Sequence, residues 1–394
     1  MLIGIPDLDI YLLYFLDVAS IMHLAIICKE QYALLISIDF VQQLRLLKEK
    51  KQIINHACKY NYVAILSWMD KSVNKFKYNN DAIVKAVING NIEILEWFNK
   101  SGHKFYYDYR LIDSVCRCGH INILKWFNNS KYKFKYSDNA IDYAAQNAYI
   151  DIIEWFDESA YEFKYTYAIN QAAAHGHINV LEWFNKSKYK FKYTDNAIDR
   201  AAGNGHINVL EWFNKSKYEF KYSENAINLA AGNGHVSVLD WFHNSPYELY
   251  FHDAVYKAAI NGQISVLQWF DDRKLQYEFQ YVRDAIDGAS ENGYVSVLDW
   301  FDKSEHKFKY SNYAIDTAAE NGHLDVIQWF ANSRHEFKYT DYAINCAAEQ
   351  GYLDVIQWFA DSKYEFKYSE KAIIGAKKCK HQHIVDWFMT NGKL

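Results

Sequence analysis

The chain has 394 residues, half of them apolar, with 43 Lys and Arg against 48 Asp and Glu for a formal charge of -5. That is enough apolar material for a folded molecule of two or three ordinary domains, and the balance excludes a whole-molecule basic field that would grip nucleic acid or anionic lipid without specificity. The six cysteines, at 28, 58, 116, 118, 346 and 379, form no regular pairs, which excludes a disulfide framework and suits a reducing compartment.

Residues 1–48 come first. Their opening, "MLIGIPDLDIYLLYFLDVAS", is apolar, but it lacks a basic leader, and Asp7, Asp9 and Asp17 interrupt it well short of the ~20 residues a membrane span needs. Neither secretion nor insertion is expected. Within it, Ile5-Pro6, Leu8, Leu12, Leu13, Leu16, Asp17, Ile21, Leu24 and Cys28-Lys29 resemble the F-box pattern: a Leu-Pro-like opening, a first helix, a turn, a second helix and a Val-Cys-Lys-like step. By that resemblance Ile5, Pro6, Leu8, Leu12, Leu13, Leu16, Ile21 and Leu24 would contact a Skp-type adaptor of a cullin–RING ubiquitin ligase. The aromatic pair that usually follows Cys-Lys is missing, with Tyr32 the one candidate. The alternative is a helical cap over the apolar face of the segment that begins at residue 49.

From residue 49 to 394 one ruler governs the chain. All 12 tryptophans, at 68, 97, 126, 155, 183, 212, 241, 269, 300, 329, 358 and 387, lie on a ladder with steps of 28 to 31 residues, and the phrase "GHINVLEWFNKSKY" at 176 recurs unchanged at 205. Such a period marks stacked repeats rather than a single core. Each unit opens on Ser or Thr (Ser137, Thr194, Ser223, Ser311, Thr340), which accepts from free backbone N–H groups and starts a helix such as "AIDYAAQN". Glycine at 90, 119, 176, 205, 234, 262, 293, 322 or 351 supplies the left-handed backbone that ends it. A second helix comes next as I-x-V-L-x-W-F, with an apolar stripe such as Ile178, Val180, Leu181, Trp183 and Phe184. Phe and Tyr then alternate with other residues, as in Phe134 and Tyr136, so both rings face one side of an extended connector. The expected fold is an all-α solenoid of twelve stacked helix–turn–helix units behind the N-terminal segment. A fully buried Trp in such a stack removes about 200 Å² from water, and its loss is expected to cost roughly 3–5 kcal/mol.

The string A-I-[D/N]-x-A-A-x-x-G-H-x-x-V-x-x-[WF], as at Ala197, Ile198, Asp199, Gly205 and His206, resembles the ankyrin repeat. Two departures stand out. The unit is about four residues shorter than the family's 33, a deficit that falls in the hairpin between units, and the family's characteristic His is Asp or Asn in nine of twelve units. The "WF…KFKY" diction is similar to the ankyrin-type families of giant, mimivirus-like DNA viruses of amoebae. A cytoplasmic location is the expectation, the host cytoplasm if the chain is viral, with nucleus or virion as alternatives.

The chemistry-bearing patterns dissolve into the repeat. His120, His177, His206, His235, His323 and His381 share one position, but helices stacked about 8–10 Å apart hold such rings too far apart for a common zinc at about 2.0–2.1 Å. "CRCGH" at 116–120 places Cys116 in the slot held by Ala173 and Ala202. "GNG" at 203–205 joins two helices rather than following a strand, so it is no dinucleotide loop. Acidic residues precede Trp in seven units on what reads as a solvated face without a converging partner. Lysines of "KFKY", such as Lys135, Lys192 and Lys221, point away from their aromatic neighbours and are diluted by Glu162 and Glu219, which disfavours nucleic-acid stacking. No cofactor, metal or catalytic residue is expected, and the chain reads as a binding protein rather than an enzyme.

Variation inside the repeat marks the surface that a protein target would meet. Two positions per first helix, three residues apart and so on one face, change freely from unit to unit. They include Lys85, Arg117, Tyr143, Gln146, Gln171, Arg200, Lys257, Glu291, Glu320 and Glu349. Resemblance to ankyrin repeats places this face on the concave side. The functional expectation is a substrate receptor that links a target to a cullin–RING ligase; the alternative is a structural or scaffold protein of a viral particle or factory.

Overall fold

The computed structural model describes residues 50–392 apart from 73–75, 77, 106, 249–252 and 276–281. The F-box-like segment, with Ile5, Pro6, Leu8, Leu12, Leu13, Leu16, Ile21 and Leu24, lies outside the described residues. Among the described residues the secondary structure is helical, in 24 helices that form twelve antiparallel pairs, with no strand.

The chain divides into two compact units, Met1–Ala168 and Ile169–Leu394. The first holds four pairs: α1 (Lys50–Lys59) with α2 (Val63–Ser72), α3 (Asn80–Ile88) with α4 (Ile92–Ser101), α5 (Tyr109–Cys118) with α6 (Ile121–Asn129), and α7 (Asn139–Gln146) with α8 (Ile150–Glu158). The second opens with α9 (Ala168–Ala174) and α10 (Ile178–Lys186), then α11 (Asn196–Gly203) and α12 (Ile207–Lys215), and α13 (Glu224–Gly232) and α14 (Val236–His243). It continues with α15 (Ala254–Ile260) and α16 (Ile264–Asp272), α17 (Val282–Glu291) and α18 (Val295–Lys303), and α19 (Tyr313–Glu320) and α20 (Leu324–Asn332). Two further pairs complete it, α21 (Asp341–Gln350) with α22 (Leu353–Asp361) and α23 (Glu370–Lys378) with α24 (Gln382–Thr390). Each unit is an α-solenoid.

Short helices of 7 to 10 residues are marginal alone, and what holds them is burial of one face against the neighbouring pair. In α11 the buried side is Ala197, Ile198, Ala201 and Ala202, small residues that let the next first helix approach closely. In α12 it is Val209, Leu210 and Phe213. First helices of successive pairs pack extensively, as α11 does on α13, whereas second helices such as α10 and α12 touch sparsely. The first-helix row is therefore the tighter side of each stack.

The large core side chain of each unit is Phe, not Trp. The phenylalanine after the indole, from Phe98 to Phe388, is fully buried in eleven pairs. Trp97, Trp126, Trp212 and Trp329 are half-buried, and only Trp269 among the described indoles is fully inside, at 3% exposure. The expected burial of an interior indole such as Trp212 is thus only partial. A ring at the outer end of the stripe, with a polar edge, serves better as a seam than as filling.

Three kinds of contact recur between successive pairs within the units. In the first, the Trp N–H donates to the residue that precedes Trp one pair earlier: Trp126 to Glu96 at 2.6 Å, Trp212 to Glu182 at 2.5 Å, Trp269 to Asp240 at 2.8 Å and Trp329 to Asp299 at 2.7 Å. These carboxylates, read from the sequence as solvated and unpartnered, are acceptors in the seam. Phe191 of the connector stacks on Tyr218 at 4.0 Å and lies 5.6 Å from Trp212, which joins successive connectors through their rings.

The second contact uses the position where Asp or Asn replaces the ankyrin-type His. The buried Asp199 carboxylate accepts from the Ser223 N–H at 2.8 Å and from its hydroxyl at 2.6 Å. Asp113 does the same with Ser137, Asp287 with Ser311 and Asp316 with Thr340; Asn170 and Asn345 accept from the Thr194 and Ser369 N–H groups and donate their amide N–H to the hydroxyls. The same Ser hydroxyl also caps its own helix, since Ser223 accepts from the Asn225 N–H at 3.2 Å. One side chain fixes both the start of a helix and its seat on the previous pair.

The third explains Gly-His. Gly205 has φ +77°, and a methyl group there would meet the His235 ring of the next pair at 2.9 Å. His206 stands in the same relation to Gly176, where burial pushes its pKa down. Ala148 and Lys380 hold the same turn with positive φ despite their side chains.

Candidate partner-binding surface

The variable residues are placed by the first helices. Lys85 on α3, Arg117 on α5, and Tyr143 and Gln146 on α7 belong to the first unit. Gln171 on α9, Arg200 on α11, Lys257 on α15, Glu291 on α17, Glu320 on α19 and Glu349 on α21 belong to the second. All ten are half-buried or exposed, on helices whose other face is occupied by Ala and Ile. The reason is the helix period: in α7 Ala140, Ile141, Ala144 and Ala145 turn inward, leaving positions 143 and 146 outward.

In the first unit the structure brings two of them together. The Arg117 guanidinium lies 3.8 Å from the centre of the Tyr143 ring, one pair further on. Lys59, Lys85 and Arg117 occupy the last turns of three successive first helices. Between them the side chains of Tyr60 and Ile88 are 45% and 46% exposed. Sequence reasoning placed Ile88 on the variable face but not among the partner-binding residues, and it left Tyr60 out; the apolar character of both at a surface position was the available signal.

In the second unit the corresponding ends carry Glu291, Glu320 and Glu349, and Tyr342 donates to Glu320 at 3.2 Å. Tyr256, Asp284, Glu291, Tyr313 and Thr317 line a cleft of about 440 Å³ there. Glycine on this row is a packing residue: a methyl group at Gly203 would meet the Leu229 Cβ at 2.8 Å.

Among the described residues no group of three His, Cys, Asp or Glu could hold a metal ion. Cys116 is fully buried in the small-residue slot, and burial raises its thiol pKa well above the ordinary value. Lysines of the connectors lie over the tyrosine of the preceding connector, as Lys221 does over Tyr193 at 5.7 Å and Lys338 over Tyr310 at 4.3 Å, so the aromatic faces are already covered. No described helix is long and apolar enough to cross a membrane.

The same pairs and seams carry a likeness to known proteins. Residues 315–360 match the family model of ankyrin repeats in many copies. The match spans two successive pairs, α19 to α22, which are joined by the Asp316–Thr340 latch and by the Tyr352 ring seated on Gly322. Among solved structures, the pentatricopeptide repeat protein PPR10 from maize is similar at 12% identity and a TM-score of 0.31, over 87% of this chain and 58% of that one. The chain thus spans less than two thirds of that protein's length. No curated protein matches the chain.

Proposed function

We propose that the chain is a protein-interaction module whose first-helix face holds a protein target and whose N-terminal segment engages a Skp-type adaptor, making it a substrate receptor of a cullin–RING ubiquitin ligase. The observation that carries the interaction role is the division of labour within each pair. Positions such as Asp199, Gly205 and Phe213 are committed to the seam, while positions such as 143, 200, 257 and 320 on the same helices are free to differ and open to solvent. A fixed frame with a changing face suits recognition of an extended surface. The adaptor role rests on the resemblance of residues 5–29 to the F-box pattern. If the chain is viral, the adaptor is the host's and the setting is the host cytoplasm.

The test is retention of a purified Skp-type adaptor by the full chain. Expected is stoichiometric retention that Pro6→Ala weakens and Leu16→Asp abolishes, with the helical circular dichroism spectrum unchanged. Absence of retention by the parent chain, or indifference to both substitutions, removes the ligase role and leaves a scaffold.

A further inference from the structure

The three cations at the ends of α1, α3 and α5 form one surface. Residues 50–129 carry twelve Lys and Arg against six Asp and Glu, a local charge of +6 in a chain whose total is -5. Several of the acids in this span are already engaged: Asp108 pairs with Arg110 at 2.5 Å, Glu96 with Lys100 at 3.5 Å, Asp70 with His103 at 2.7 Å, and Asp113 is buried beneath Ser137. Among the described residues none of Lys59, Lys85 and Arg117 has a carboxylate within 4.0 Å. Their field is felt locally: Lys59 and Lys85 add to burial in holding the His56 pKa below its ordinary value.

A cation at a helix C-terminus complements the macrodipole, and that accounts for one charge per helix. It does not account for the apolar surface set among the charges. Ile88 ends α3 almost half exposed, Tyr60 is equally open beside the Lys59 ammonium, and the Tyr143 ring supports Arg117 from behind. Charge, an aliphatic contact and aromatic supports therefore alternate along one row.

The spacing selects the occupant. Successive first helices pack roughly 8–10 Å apart, so three cations one helix apart match carboxylates on every third residue of an extended, polyproline II-like chain, whose three residues per turn at about 3.1 Å each return the same face every ~9 Å. The exposed aliphatic Ile88 set among the cations favours a peptide carrying apolar side chains over a nucleic-acid strand. Resting on the interaction-module reading above, we propose that Lys59, Lys85 and Arg117, with Tyr60, Ile88 and Tyr143, form the docking surface for an acidic, extended segment of the target protein, with carboxylates at every third position and apolar residues between.

The test uses the full chain and a fluorescein-labelled dodecapeptide repeating Glu-Ser-Ile, titrated by fluorescence anisotropy. Expected is saturable binding that weakens at least about tenfold in the Lys85→Glu, Arg117→Glu double variant, since each reversal replaces an attraction by a repulsion, and that also weakens with added salt. Glu320→Lys in the second unit should leave it unchanged. Lys85 and Arg117 are exposed and Glu320 is half-buried, and an unaltered circular dichroism melt confirms that the variants fold. Failure of the parent chain to bind the peptide, or binding indifferent to the double reversal, overturns the assignment. So does tighter binding of a twelve-nucleotide oligothymidylate that responds to the same reversal, which would make the surface a nucleic-acid site. Self-association of the parent chain in sedimentation, abolished by the reversal, would instead assign the surface to a second copy. Adaptor retention is measured separately through Pro6 and Leu16, so either result can fail without the other.

Discussion

Asp142→Asn is the perturbation that probes the inter-pair latch most directly. The Asp142 side chain is 4% exposed, and its carboxylate accepts from the Thr166 N–H at 3.1 Å and from the Tyr167 N–H at 3.0 Å. Burial nevertheless dominates, pushing the pKa from 3.8 up to about 6 against the opposing pull of those N–H groups. A carboxyl whose folded pKa is raised stabilises the fold fully below its unfolded pKa and loses that contribution as pH rises through the folded one. Relative to its protonated form, the ionised group thus lowers stability at neutral pH by at most about 3 kcal/mol. Asn keeps an oxygen for the Thr166 N–H and removes the charge, as Asn170 does toward Thr194 at the same slot. The variant should therefore gain about 1–3 kcal/mol near pH 7.5 and lose most of the pH dependence between about pH 4.5 and 7.5 that this site contributes. Because coupling in a stack is local, the assay is hydrogen exchange of peptides covering residues 139–167 at both pH values, alongside urea unfolding. A variant less protected than the parent near pH 7.5, or a parent whose protection here rises between about pH 5 and 7, would refute the reasoning. Asp113, Asp199, Asp287 and Asp316 are raised by burial in the same direction, so the whole chain should lose stability as pH climbs through their titration.

Two further outcomes are expected. Phe213→Ala should cost about 3–5 kcal/mol, more than Trp212→Ala, because the phenyl ring is fully enclosed and the indole is only half so; urea midpoints that rank them the other way would restore Trp as the core residue. Gly205→Ala should lower the thermal midpoint, through left-handed backbone and the His235 ring, whereas Ala148→Gly, at φ 59°, should raise stability by up to about 1 kcal/mol; equal shifts of the same sign would show that backbone conformation does not govern these turns.

The helix pairs, the glycine turns and the alternation of the connectors were legible because each is written within a few residues. Phe134 and Tyr136 are turned inward and Lys135 is exposed, as a period of two requires. What periodicity does not carry is the identity of a partner in the next pair. Glu182 and Trp212 are 30 positions apart, and nothing local distinguishes a carboxylate facing water from one facing an indole. The same holds for Asp199 and Ser223, 24 apart: the sequence displayed the departure from the ankyrin-type His without its cause. The stripe placed Trp and the neighbouring Phe together without ranking them, and it is the Phe that is fully enclosed. For the partner surface, variation identified outward positions such as 85, 88 and 117, but Tyr60 needed its exposure to be seen.

The seams have a consequence for how such a molecule comes by its size. Every latch reaches one neighbour and no further, and the words on either side of residues 176–204 are the same, since 176–189 and 205–218 are identical. Excising that block would bring Asn170 to Ser223, another hydroxyl of the kind it grips at Thr194, and would close the chain on itself without a scar. Length here behaves as a dial: a gene that slips by one phrase yields a shorter or longer fold with every joint intact, so reach along a target can change before any contact residue does.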